Sequence, residues 1–232
     1  MLKPIFIEAR DLPDAWFSCL WTILDEGHEY TIDRGSYEGQ KRLEFDYVTV
    51  HIKYPGTRPL LPDIPPNYGI PNPVADDYLD GYLPYLMTDH IEPGEQYTYG
   101  NRLNGYLERI DKVSDVSTDG QVGYWIRSLK KNPNTNQAIL QVGQPNDCFL
   151  TDPPCLRHLD CRIKDNKLHF VIYFRSWDLW NGFSANLAAI QMLKEYMASE
   201  IGVEDGEIIA SSKGLHLYDY AWDLAKIRTN RE

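Results

Sequence analysis

The stretch LDCRIKDNKLHFVIYF, Leu159 to Phe174, reads as a β-hairpin. Two runs of alternating or apolar residues, Leu159 to Ile163 and Leu168 to Phe174, flank the turn-forming Lys164-Asp165-Asn166-Lys167. Asp and Asn tolerate the tight backbone that such a turn requires. A hairpin folds the chain back on itself, so residue 175 is expected to return beside residue 155. The two residues so paired are Cys155, closing PPC at 153–155, and Arg175, inside FRSWD at 174–178. A permanent guanidinium cation beside a thiol favours the thiolate, which is the nucleophilic form.

Two further strings lie downstream. In GFSAN, Gly182 to Asn186, Ser184 is a plausible N-cap for a helix in which Leu187, Ile190, Met197 and Ile201 recur at helical spacing and Gly202 marks the end. Asn186 then sits in the first turn, with an amide that can both donate and accept. In HLY, His216 and Tyr218 are two apart and share one face of a strand. Each piece taken alone has a structural reading. A cysteine after two prolines is usually a small buried residue, Arg175 with Asp178 could be a surface ion pair, and a histidine on an apolar strand is usually a satisfied core residue. The ordered combination of all four strings is what favours a site.

Together the four strings resemble the catalytic half of the thymidylate synthase superfamily, most of all its short archaeal-type members. The resemblance is specific from about Pro153 to Tyr218 and weaker toward the N-terminus. There, Asp11 to Gly27 is similar to the family's opening amphipathic helix, with Trp16, Cys19, Leu20, Ile23 and Leu24 on one face and Pro13 in the first turn. Asp33-Arg34-Gly35 is similar to its phosphate loop, and Tyr99-Gly100-Asn101-Arg102 to a further segment. The implied fold is a single α/β (α+β) domain over residues 1–232, three-layered, with a large mixed, mainly antiparallel sheet packed by helices.

The resemblance also implies a reaction and a division of labour. The substrate would be a uracil nucleotide, dUMP, converted to dTMP. Cys155 would add to C6 and so make C5 nucleophilic. Arg175 would support thiolate and phosphate, Ser176 and Arg34 would hold phosphate, and Asn186 would read the base. His216 and Tyr218 would hold the sugar, Asp178 would order the loop and the base-side hydrogen bonds, and Tyr99 would help remove the C5 proton through a water. The one-carbon donor would be a methylene-bearing reduced pterin, of the tetrahydrofolate or tetrahydromethanopterin type, which also supplies the hydride. No metal is implied. Family members are homodimers built by back-to-back sheet packing, with a monomer as the alternative here.

Several positions depart from the family pattern. Leu156 stands where histidine normally follows the nucleophile, Phe174 where glutamine precedes the Arg-Ser pair, and Ser184-Ala185 where Pro-Phe precedes the asparagine. Asn134 to Gln137 contains no arginine where a pair normally reaches the phosphate across the dimer. The family's catalytic glutamate has no matching motif; Asp80 and Glu95 are the candidates. Only Asp219 to Glu232 follow Tyr218, which leaves no counterpart of the family's closing C-terminal segment. A pyrimidine nucleotide hydroxymethylase, acting on dUMP or dCMP, and a catalytically silent nucleotide-binding homologue are the alternatives. The retained Asn186 favours uracil over cytosine.

Composition agrees with such an enzyme. A length of 232 residues suits one domain with a substantial core. The net charge of −11 argues against an extended nucleic-acid surface, so an anionic substrate would need a local basic pocket. The N-terminal MLKPIFIEARDL lacks a signal-peptide core, and no apolar run approaches the roughly 18 residues that span a bilayer. A cytoplasmic protein with no membrane partner is expected. Cys19, Cys148, Cys155 and Cys161 are too few for a disulfide scaffold and read as free thiols. Zinc held by Cys155, His158 and Cys161 is disfavoured, since strand alternation places 158 opposite the other two. Seven of fifteen prolines lie between Tyr54 and Pro73, read as a surface excursion over the fold. Asp111 to Gly123 reads as a polar connection.

Overall fold

Asp165 and Asn166 both adopt left-handed backbone, with φ of 52° and 58°, in the computed structural model of the chain. Two consecutive residues of this kind make a tight turn whose twist matches that of the strands it joins. The turn connects β6 (Leu156–Lys164) to β7 (Lys167–Phe174), which pair antiparallel from Lys164↔Lys167 to Leu156↔Phe174. Residues 1–33, 37–75, 77–105 and 120–231 are described. Most of the polar stretch 111–123 therefore lies outside the described residues, and its last four residues open a helix instead.

The chain runs β1 (Pro4–Ala9), α1 (Leu12–Glu26), β2 (His28–Thr31), β3 (Lys41–Glu44), β4 (Tyr47–Ile52), α2 (Tyr78–Met87), α3 (Tyr99–Asn104), α4 (Gly120–Lys131) and β5 (Ile139–Gln141) before that hairpin. After it come β8 (Trp177–Asp178), α5 (Gly182–Ile201), β9 (Glu204–Ser212), β10 (Leu215–Tyr218) and α6 (Trp222–Thr229). The expected mixed, helix-packed architecture is present, but its strands form two sheets. One has the order β1-β4-β9-β7-β6-β5 and the other β2-β3-β10-β8. The reason is local: β3 gives way to β4 at Phe45-Asp46, β7 to β8 at Arg175-Ser176, and β9 to β10 at Lys213-Gly214. Three strand breaks thus line up where the sheets meet. Bridging bonds hold the seam, with Trp177 N–H donating to Gly214 O at 2.9 Å and Phe45 N–H to Leu215 O at 3.0 Å.

α5 carries the core. Phe183, Leu187, Ala188, Ile190, Leu193 and Met197 are buried along it, and Gly202 ends it with φ of 90°, a conformation glycine adopts without steric cost. α1 packs alongside through Trp16, Cys19, Leu20 and Ile23, and its N-cap Asp11 accepts from Asp14 N–H at 3.0 Å. The proline-rich segment runs over the fold with half of its residues exposed, and is pinned by buried Leu60 and Ile64. The opposite face of the larger sheet stays open. Register places Phe6, Thr49, Ser211 and Tyr173 in one row, and Glu8, His51, Ile209 and Val171 in the next. Phe6 there is 66% exposed and Val171 39%.

Candidate active site

Cys155 and Arg175 are the next pair beyond the hairpin ladder. The Arg175 N–H donates to the Cys155 carbonyl at 2.8 Å. The Arg175 guanidinium turns back over the approach to the cysteine, donating from Nε to the Pro153 and Pro154 carbonyls at 3.2 Å each and from Nη2 to Asp152 Oδ1 at 3.0 Å. Proline has no N–H of its own, so these carbonyls are held by the arginine rather than by a strand ladder. Cys155 is half-buried. Burial pushes its thiol above the ordinary range; the Arg175 and Arg157 cations pull it down, and Asp152 pushes it up. Arg175 therefore acts in the expected sense, but desolvation outweighs it, and the resting thiol keeps its proton. Arg157 was not singled out from the sequence. Its place two residues after the cysteine, on β6, was the available signal.

Tyr99 opens α3, where Thr98 caps the helix by accepting from Asn101 N–H at 2.8 Å. Its hydroxyl accepts from Leu156 N–H at 3.2 Å, one residue from the thiol. Burial raises this phenol, and a charge on Cys155 would raise it further, so it is a protonated hydroxyl at neutral pH.

Asp178 shapes the next segment. Its Oδ1 accepts from Trp180 N–H at 3.1 Å and its Oδ2 from Asn181 and Gly182 N–H at 3.2 and 3.3 Å. These are donors at the start of α5, so the carboxylate occupies the electrostatically favoured end of the helix. The expectation for Ser184 is corrected accordingly. α5 begins at Gly182, Ser184 is buried within it, and Asn186 falls in the second turn. The Asn186 amide is held at both ends, accepting at Oδ1 from Trp177 Nε1 at 3.2 Å and donating from Nδ2 to the Tyr82 hydroxyl at 2.9 Å.

His216 is buried, and its ring stands edge-on to Tyr218 with centroids 4.6 Å apart. Its Nδ1 lies 2.9 Å from the Gly214 carbonyl. A carbonyl can only accept, so Nδ1 carries the proton. Burial lowers the ring's pKa from 6.5, so the neutral tautomer leaves Nε2 a free acceptor, and Nε2 has no protein partner. Tyr218 stacks on Tyr37 at 4.5 Å. Ser176 is half-buried in the bend between β7 and β8. Arg34 lies outside the described residues.

A cavity of about 530 Å³ opens beside these groups, lined by Tyr78, Tyr82, Tyr85, Tyr97, Tyr99 and Asn186 among others. Cys155, Arg175, His216 and Tyr218 do not line it; Tyr99 and Asn186 connect the two regions. Tyr78, Tyr82 and Tyr85 stack along α2 with centroids 5.5 and 6.4 Å apart. Their spacing in YLDGYLPYL is helical, a signal the sequence reading passed over in favour of Asp80. Asp80 is exposed and off the cavity, whereas Glu95 accepts from the Tyr85 hydroxyl at 2.9 Å. A further cluster was missed: Asp147 is buried and accepts from Arg102 at 2.8 Å and Arg157 at 3.4 Å, bracing the segment that leads to Cys155.

Among the described residues no three His, Cys, Asp or Glu side chains converge as metal ligands. A register shift between Leu156 and His158 also interrupts the simple alternation expected there, and Cys161 is buried in the core. No described helix is long and apolar enough to cross a membrane.

The family model described as thymidylate synthase matches residues 88–232, from just after α2 through every downstream element named above. The chain belongs to the thymidylate synthase family. A protein of Methanosarcina acetivorans named "Putative thymidylate synthase" is 32% identical over 95% of this chain and 92% of its own length. One of the same name from Methanopyrus kandleri is 24% identical over 94% of each chain. The "Thymidylate synthase" of Fusobacterium nucleatum is 33% identical over a shorter span, 48% of this chain and 41% of its own. Membership implies an enzyme with a nucleotide substrate. Cys155, Arg175, Asp178 and His216 are gathered along the seam between the two sheets.

Proposed function

We propose that this enzyme carries out the reductive methylation of dUMP at C5 to give dTMP. The observation that carries the reading is the pairing of a half-buried thiol with a cation and a fixed amide along one seam: Cys155 beside Arg175, and Asn186 held between Trp177 and Tyr82. Cys155 Sγ adds to C6, which turns C5 into an enolate-like carbon. The thiol gives its proton to solvent water as Sγ bonds to C6, the thiolate form being favoured by the Arg175 and Arg157 cations. Tyr99, with its hydroxyl fixed beside Leu156, is assigned the orienting of a water that takes the C5 proton. Neutral His216 accepts a sugar hydroxyl at Nε2 with Tyr218 beside it. Arg175, Ser176 and Arg34 are assigned the phosphate.

The stacked tyrosines of α2 suit a flat aromatic cosubstrate, since offset rings at these separations gain from a further π-system. A methylene-bearing reduced pterin held there would supply the one-carbon unit and the hydride. The open face of the larger sheet, with Phe6, Tyr173, Ile209 and Val171 exposed or half-exposed, supports a homodimer formed through that face.

Intact-protein mass after incubation with 5-fluoro-dUMP and a panel of methylene-bearing reduced pterins tests the reading. An adduct requiring Cys155 is expected, and its added mass names the donor. Product mass with dUMP distinguishes methyl from hydroxymethyl transfer. No adduct with any donor would refute the methylation reading.

A further inference from the structure

The hydrogen bonds around Asn186 determine which way its amide faces. An indole N–H can only donate, so the atom facing Trp177 Nε1 must be the amide oxygen and the atom facing Tyr82 must be the nitrogen. Trp177 is itself immobile, buried and stacked between Phe174 at 4.1 Å and Phe183 at 4.4 Å. The amide therefore cannot flip without leaving an indole N–H unpaired in the core, at a cost of roughly 1–3 kcal/mol.

The same geometry sets the polarity presented to the cavity. Tyr82 Oη accepts one Asn186 N–H, and neither the Tyr82 proton nor the second Asn186 N–H has an acceptor among the described residues. Burial raises the Tyr82 phenol, which keeps that proton in place across the neutral range. Two donors, one from α2 and one from α5, thus stand together on the wall of the cavity.

We infer that Tyr82 is a specificity-determining residue, forming with Asn186 a two-donor reader that selects a pyrimidine bearing a carbonyl oxygen at C4 against one bearing an amino group. A C4 carbonyl has two lone pairs and can accept from both groups. A C4 amino group presents only donors there, so binding it would leave donors facing donors and lose the paired hydrogen bonds. This rests on the nucleotide-binding reading proposed above and goes beyond it, because it adds a residue outside the four catalytic strings and gives a reason for the choice of base.

The test is calorimetric binding of dUMP and dCMP to the wild-type protein and to Tyr82→Phe, which keeps the ring and its stacking on Tyr78 and Tyr85 but removes the hydroxyl. The wild type is expected to prefer dUMP. Tyr82→Phe should lose about tenfold in dUMP affinity, the scale of one hydrogen bond in a buried site, with dCMP affinity unchanged or improved. Equal wild-type affinity for the two nucleotides would overturn the inference while leaving the enzyme assignment intact. Parallel losses for both nucleotides would make Tyr82 merely structural, and no change for either would remove it from recognition; each outcome overturns the inference. A wild type that binds neither nucleotide would overturn the functional reading together with this one. Tyr82→Leu, with the ring removed as well, separates the cases: a drop in melting temperature is expected there and not in Tyr82→Phe.

Discussion

The backbone N–H of Arg175 donates to the carbonyl of Cys155 at 2.8 Å. This one bond closes a twenty-residue return of chain and brings the Arg175 cation to the Cys155 thiol. It also separates the thiol's chemistry from its binding surroundings, since the side chain of residue 155 takes no part in the bond. Cys155→Ala is therefore expected to abolish adduct formation and turnover while leaving dUMP affinity within about threefold of wild type. Intact mass with 5-fluoro-dUMP and calorimetry with dUMP check the two halves. Turnover that survives the substitution would eliminate the covalent mechanism.

Asp152 opposes Arg175 at the thiol. Its carboxylate binds the guanidinium and raises Cys155. Asp152→Asn should lower the thiol pKa and accelerate iodoacetamide alkylation at neutral pH, by only about threefold because this exposed carboxylate is screened by solvent. Arg175→Gln removes a cation and should slow the reaction. Alkylation rates followed against pH for the three proteins would show the two curves displaced in opposite directions from wild type.

Asn186→Asp replaces a donor with an acceptor next to the Tyr82 hydroxyl. The carboxylate can accept from Tyr82, from Trp177 and from an amino group on the base. Preference should move from dUMP toward dCMP by at least tenfold in relative kcat/KM, the scale of one reversed hydrogen bond. Unchanged dUMP preference would place base readout elsewhere.

His216 is neutral at pH 7 because burial lowers its pKa below 6.5. A depressed folded-state pKa gives a stability contribution that is present above about pH 6.5 and is lost as the pH falls from there through the lower folded value. Protonation also turns Nε2 from acceptor into donor. Nucleotide affinity should therefore be full at neutral pH and fall on acidification below the ordinary histidine range, and the fall should be absent in His216→Gln. Titration of dUMP binding between about pH 5 and 7.5 checks this. The same acid loss in both proteins would move the effect to another group.

Lys194 is wholly buried in α5 and bonded to the Gly206 carbonyl and to Asp205, and burial pulls its pKa down to about 8. A buried charge of this kind is costly, but the Asp205 oxygen it faces, Oδ1, is itself buried and has no other hydrogen-bond partner, so removing the lysine strands that oxygen. Lys194→Met is expected to destabilise the fold by about 1–3 kcal/mol, the cost of a buried acceptor left unpaired. Denaturant unfolding measures it, and a variant as stable as the wild type or more so would show that the ion pair contributes nothing net.

Much of the site's outline was legible without coordinates, because it depends on local rules. Asp165-Asn166 favours left-handed backbone, and the runs flanking it must pair antiparallel, so Cys155 and Arg175 had to meet. The α5 pattern with Gly202, and the α1 pattern with Asp11 and Pro13, are likewise read from periodicity and caps. Ser184 misled because it has the right chemistry for a cap but lies three residues past the cap position, Asn181. The donors at the start of α5 are satisfied instead by Asp178, through a turn that no propensity rule distinguishes.

The hairpin, the principal helices and the chemistry of the four strings could be read from the chain alone, since each follows from short-range backbone preference or from residue type. The tertiary structure alone decided the ionisation and polarity of those residues. Burial outweighs Arg175 and keeps Cys155 protonated; the Gly214 carbonyl chooses the His216 tautomer; Trp177 and Tyr82 orient the Asn186 amide. It also decided that the strands divide into two sheets at aligned breaks, beside the residues of the candidate site. Desolvation and hydrogen-bond direction depend on everything that surrounds a group, and groups as far apart in sequence as Tyr82 and Asn186 become neighbours only when the chain is folded.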